Sequence, residues 1–254
     1  MGARTVLLSE WTKIRSVRST KVALLANFLL GFGISMLFSL MFRNYFSDPK
    51  SDASGFDAIF SGLGGLLYTQ IALVVFGVLV VSAEYSMGTI RASLAAVPRR
   101  GLFYAGKVMT GTAVAFGVSV VTVFVTFFAS QATIGHPHSV SLGDPGVTRA
   151  VVGLCLYMTL ISMFSMGVAT MLRSSTFSLG ILIPLFFIVS RILANIPGIK
   201  VLARYLPDQA GQQVMYLIPQ GDSPLSPWGG LLVLVGWTVA ALAGGYLVFR
   251  TRDA

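Results

Sequence analysis

The stretch IFSGLGGLLYTQIALVVFGVLVVSA (residues 59–83) runs directly into EYSMGTIRASLAAVPRR (residues 84–100). The first part carries no charge and is long enough to cross a bilayer core, which takes roughly 20 mostly apolar residues. The second part is polar, ends on Pro98 and two arginines, and gives way to another apolar run. One membrane crossing, a short ordered connection and a second crossing is the reading that decides the fold.

The same test applied outward finds six spans, at about 22–42, 59–83, 105–131, 150–172, 177–196 and 228–249. The fifth is interrupted by Pro184 and carries Arg191 near its end. Pro184 is tolerable there because neighbouring helices can satisfy the freed carbonyl, and Arg191 can reach the interface. Composition agrees. Of 254 residues 55% are hydrophobic and only 11% charged, where an average soluble domain is about a quarter charged. Mean hydropathy is +0.80. A soluble fold could not hide that much apolar side chain. The expected fold class is therefore all-α integral membrane, one domain over residues 1–254. A lone cysteine, Cys155, excludes an intrachain disulfide and a multi-cysteine metal cluster.

The net charge of +9 does not read as a nucleic-acid surface, since no stretch sets a basic face beside exposed aromatics. It reads as topology. Twelve of the 18 Lys and Arg fall on the N-terminal tail, the second-to-third connection, the fourth-to-fifth turn and the C-terminal tail. The positive-inside rule puts both termini in the cytoplasm, and an even number of spans agrees. The basic leader before the first span is not a cleaved signal, because its apolar region is too long.

Leu7, Trp11 and Ile14 repeat at i, i+4, i+7, with Arg15 and Arg18 beside them. That predicts an amphipathic helix over about 5–20 lying on membrane lipids and turning into the first span. In the 84–104 connection, Ile90, Leu94 and Val97 share the same spacing. Thr89 can start a short helix and Pro98 stop it. A ridge of that kind, with Arg91 beside it, is suited to docking on a soluble partner. Glu84, where the second span ends, needs a partner, and an arginine of the same loop or of the docked protein is the simplest. The 31 residues of 197–227 hold a half-apolar segment, read as interfacial or re-entrant.

Two patterns are set aside. Residues 101–107, GLFYAGK, imitate a phosphate-binding loop, but Val108 replaces the hydroxyl that would hold magnesium and no strand precedes it. His136, His138 and Asp144 are read as a solvated loop, so no metal site is assigned.

Glu10-Trp11-x-Lys13-x-Arg15-Ser16 before the first span resembles the start of bacterial type-2 ABC transporter permeases. Glu84-x-x-x-Gly88-Thr89-Ile90-Arg91-x-x-Leu94-x-x-x-Pro98-x-Arg100, followed by Gly106-Lys107, resembles that family's signature after the second span. The resemblance implies an ABCG-like fold with an N-terminal elbow helix, a cytoplasmic coupling helix and an outer re-entrant segment before the last span. It implies a cell-membrane exporter subunit that pairs as a homo- or heterodimer and binds two copies of an ATPase subunit. ATP and magnesium then belong to the partner, and this chain needs no cofactor of its own and is not an enzyme. Glu84, Gly88, Thr89, Ile90, Arg91, Leu94, Pro98 and Arg100 become the coupling residues. Leu7, Trp11, Ile14, Arg15 and Arg18 become the elbow.

Within the spans, Asn27, Gln70 and Ser162 are candidates to line a pathway, against the ordinary reading that such groups bond inside the bundle. Small residues four apart, Ala113 with Gly117 and Ala240 with Gly244, are candidates for close helix packing. An ion-coupled secondary transporter is the rival from another class. It commonly carries carboxylates at mid-membrane depth, whereas the nine acids here map to span ends and loops. A non-transporting membrane anchor for an ATPase stays open.

Overall fold

The structure, a computed structural model, describes residues 2–46, 56–86, 88–90, 93, 99–218 and 224–251. Among them there is helix and no strand. Helix α1 is Ala3–Ser16, α2 is Arg18–Phe46, α3 is Ala58–Leu63 and α4 is Leu66–Ser86. Helix α5 is Arg100–Ile134 and α6 is Val147–Leu172. Helix α7 is Ser175–Asn195, and after it come the short α8, Lys200–Ala203, and α9, Pro207–Gln212. The last helix, α10, is Pro227–Thr251. Helices α2, α4, α5, α6, α7 and α10 are long and apolar enough to cross a membrane. The chain is an all-α membrane protein.

Two spans form the centre. The apolar windows of α6 and α4 are 72% and 67% buried, against 22–33% in the other four. Helix α6 packs on α4, α5 and α10, while α2 lies against α4 and α5. Close approach is made possible by glycines. A Cβ on Gly167 of α6 would stand 2.5 Å from the carbonyl carbon of Ala241 on α10, and one on Gly77 of α4 would stand 2.5 Å from the carbonyl oxygen of Ser162. The pairs suggested by spacing are not all used in this way. Gly117 has nothing within 4 Å of where a Cβ would be, so it faces outward, and Gly244 meets only the side chain of Met171.

Helix α7 changes winding along its length. It is α-helical over Ser175–Pro184, π-helical over Leu185–Val189 and α-helical again over Ser190–Asn195. Pro184 brings no N–H to the ladder, and the wider turn that follows absorbs the mismatch. The N–H of Ser190 accordingly reaches the carbonyl of Leu185. Arg191 lies over the rings of Tyr68, 5.0 Å from the centroid, and Phe187, at 5.8 Å.

The segment between the fifth and last spans folds back into the bundle. Helix α9 and the turn Gln213–Met215 pack on α10 and α6, and Asp208, Ala210, Val214 and Met215 are fully covered. Asp57 fastens this segment to the start of the second span. Its Oδ1 accepts from the amides of Ile59 and Phe60, each at 3.0 Å, capping α3. Its Oδ2 accepts from Leu217 N at 2.7 Å and Ile218 N at 3.2 Å. Asp57→Ala removes a cap and both cross-links, and is expected to lower stability by about 2–3 kcal/mol. Thermal unfolding of the purified chain in detergent checks this, with Asp57→Asn retaining part of the loss.

Candidate functional site

Four charged side chains from three helices meet at one end of the bundle. Glu10 and Lys13 stand three residues apart on α1 and so share a face. Glu84 ends the second span, and Lys107 sits two turns into α5. Lys107 Nζ donates to Glu10 Oε2 at 2.7 Å and to Glu84 Oε1 at 3.2 Å. Lys13 Nζ donates to Glu10 Oε1 at 2.7 Å and to Glu84 Oε1 at 2.5 Å. Three members are buried, with side chains 2–6% exposed, while Lys13 is 41% exposed. Gly106 makes the approach possible, since a Cβ there would come within 2.6 Å of Val6 on α1. The segment 101–107 is thus helix within α5, and its lysine is spent on carboxylates.

Two acids against two bases leave no net charge, which is what lets the group be buried. Burial pulls the Lys13 ammonium down, but the carboxylates of Glu10 and Glu84 outweigh it and the pKa is raised overall. The stability Lys13 contributes is then fully present below its ordinary 10.5 and is lost only as pH rises through the raised value. Among the described residues Glu84 therefore takes lysine partners from α1 and α5, in place of the arginine of its own loop or of a docked protein that the sequence suggests. Its second oxygen, Oε2, has no hydrogen-bond partner among the described residues.

The other coupling candidates separate. Gly88, at φ 67°, and Thr89 are exposed. The left-handed backbone at Gly88 lets the chain turn sharply off α4. Ile90 is buried among Val6, Phe103, Tyr104 and Phe249. It faces the bundle, so it is no part of an outward ridge. Arg100 Nη1 donates to the carbonyls of Phe249 at 3.4 Å and Arg250 at 3.2 Å, a cation on the C-terminal carbonyls of α10. Arg91, Leu94, Val97 and Pro98 lie outside the described residues.

Helix α1 is present, and besides the Leu7, Trp11 and Ile14 positions it has a face turned to the bundle. Val6, Glu10 and Ile14 point inward, Leu7 is intermediate, and Trp11 is 50% exposed. Arg15 is exposed on α1, whereas Arg18 already opens α2 beyond the extended Val17. A half-exposed Trp11 is compatible with a helix lying on lipid, while nothing local announces that Glu10 is neutralised from 97 positions away.

Asn27, Gln70 and Ser162 are all fully buried at helix contacts within the bundle. Asn27 Nδ2 lies 3.5 Å from Thr122 Oγ1, and Gln70 accepts from the Tyr157 hydroxyl. Tyr157 in turn accepts from Gln212 Nε2 at 3.2 Å. Nearby, Asp208 is fully buried and its Oδ2 accepts from Ser190 Oγ at 2.5 Å and Gln209 Nε2 at 2.8 Å. Burial pushes the Asp208 carboxyl up, against those hydrogen bonds. Its favourable contribution is thus largest in acid and is lost as pH rises through the raised pKa. Asp208→Asn is expected to flatten that decline, so that its melting temperature gains on the wild type between pH 4 and pH 8. Among the described residues no group of three metal-ligating side chains is found, and His138 stacks on Phe46 at 4.1 Å.

A family model described as ABC-2 family transporter protein matches residues 14–254. None of the curated proteins compared matches the chain. The matched span takes in all six long apolar helices, the loop at Glu84 and the folded-back segment before α10. The chain belongs to the ABC-2 family of transporter proteins, membrane components of ABC transporters.

Proposed function

We propose that the chain is the permease subunit of an exporter driven by ATP hydrolysis on a separate ATPase, with the 84–104 loop as the contact between them. The observation that supports this best is the buried charge cluster. It joins α1, α4 and α5 into one unit at the root of that loop, so a push on the loop reaches two spans together. Helices α4 and α6 are central and the others peripheral, so tilting α4 disturbs the whole bundle. Two permease copies, alike or different, enclose the pathway, and ATP and magnesium sit on two ATPase copies. The excess of Lys and Arg at this end supports a cytoplasmic position for both termini and the loop, and the membrane proposed is the bacterial cell membrane. Binding of ATP between the partner subunits then biases a two-state arrangement of the spans.

The test is co-purification of the chain with an ABC ATPase subunit, followed by cargo-stimulated ATP hydrolysis in proteoliposomes. Glu84→Gln is expected to cut stimulated hydrolysis at least tenfold while the complex still assembles. Transport driven by an ion gradient without any ATPase would overturn the reading in favour of a secondary transporter. Assembly with an ATPase but no movement of any cargo would leave only the membrane-anchor role.

A further inference from the structure

Beside the charge cluster lies a cavity of about 300 Å³, at the lower end of the range for ligand pockets. Ile14 and Val17 on one side and Leu79 and Val80 on the other form its apolar walls; the charge cluster, with Lys13 and Glu84, lies at its polar end, and the hydroxyl residues Ser16, Thr20, Thr89 and Ser93 complete the lining. One wall belongs to a span and the other to the helix that turns into the first span. The cavity therefore sits where the spans leave the apolar layer, at headgroup level.

Its polar end is chemically incomplete. Glu84 is 5% exposed, yet among the described residues its Oε2 has no hydrogen-bond partner. A buried carboxylate oxygen without a donor is costly. Lys13 uses two of its three N–H groups on Glu10 and Glu84, and its side chain, 41% exposed, lines the cavity. Lys107 cannot turn to help, since its three contacts go to Glu10, Glu84 and the Val80 carbonyl. The missing group is a donor for Glu84 with an acceptor beyond it for Lys13. Because the four charges already cancel, an occupant that keeps the balance carries no net charge.

The geometry points to a binding site for a zwitterionic lipid with a primary ammonium, of the phosphatidylethanolamine type, held between α1 and α4. The ammonium donates to Glu84 Oε2, the phosphate accepts from Lys13, and the start of the acyl region lies along Ile14, Val17, Leu79 and Val80. This goes beyond the proposed function and does not depend on it, because the site is complete within one chain and is tested without an ATPase.

The test is native mass spectrometry of the purified chain in detergent, offered phosphatidylethanolamine, phosphatidylcholine and phosphatidylglycerol of identical acyl chains, and dodecylamine. Phosphatidylethanolamine is expected to be retained about tenfold over phosphatidylcholine, which has the same net charge and no N–H to donate. Glu84→Gln is expected to abolish that preference. Leu79→Trp, which fills the apolar wall and leaves the four charges in place, is expected to lose the lipid at an unchanged melting temperature in lipid-free detergent, so the test holds even where Glu84→Gln folds poorly. Equal retention of the ethanolamine and choline lipids by the wild type would overturn the proposal, as would a preference for phosphatidylglycerol. Retention of dodecylamine with rejection of phosphatidylethanolamine would assign the cavity to a free cationic amphiphile and overturn it equally.

Discussion

Lys107→Met is expected to cost the folded protein about 3–5 kcal/mol, the usual penalty for removing one partner of a buried ion pair. The reason is visible in the distances. Among the described residues Lys107 is the buried cation on both carboxylates, at 2.7 Å from Glu10 and 3.2 Å from Glu84, while Lys13 reaches them from a half-exposed position. Without it two acids face Lys13 alone, and the site carries an uncompensated negative charge out of water. The second substitution separates the causes. Glu10→Gln combined with Lys107→Met leaves Glu84 and Lys13 as a neutral pair, and is expected to recover about half of the loss. Chemical denaturation in detergent micelles reads both values. If the single and double variants unfold alike, the penalty comes from lost packing of the lysine stem over Phe103, where Nζ lies 5.3 Å from the ring centroid, and the charge balance is not what holds the three helices together.

Gly167→Leu is the other change with a large expected effect. The atom it adds would collide with backbone, at 2.5 Å from the Ala241 carbonyl carbon and 2.7 Å from the Leu242 nitrogen. Backbone of a neighbouring span cannot rotate aside as a side-chain end can. Overpacking ordinarily costs about 1–3 kcal/mol, and a collision with main chain belongs at or above the top of that range. The expected result is a variant that inserts but loses its cooperative melting transition. Gly117→Leu is the control. It has open space around it, so it is expected to stay within about 0.5 kcal/mol of the wild type. Both are glycines of apolar spans, and only the contact across the helix pair distinguishes them.

The spans were legible because an uninterrupted apolar run near 20 residues admits few other readings. The fifth was legible too, in spite of Pro184, since a proline bends a membrane helix without ending it. The buried face of α1 was not. Val6, Glu10 and Ile14 form it, and no rule of local periodicity places a carboxylate inward unless its partner is known. That partner, Lys107, looked instead like part of a loop motif and of the basic tally. Asp208 escaped for the same reason. A lone acid in a 31-residue connection reads as solvated, yet it is covered once that connection folds back and meets Ser190. Both features stay hidden for one cause. Charge burial is decided by neutralisation across long sequence separations, and a single chain of letters does not display it.

The widened turn at Leu185–Val189 acts as a phase shift in the fifth crossing. One extra residue per turn rotates everything after it by roughly 100° about the axis. With uninterrupted winding, the hydroxyl of Ser190 would swing off the Asp208 carboxylate and the guanidinium of Arg191 would leave the face of Tyr68. The upper third of this crossing is therefore indexed by a single imino acid, Pro184, lying one residue before the turn that it imposes.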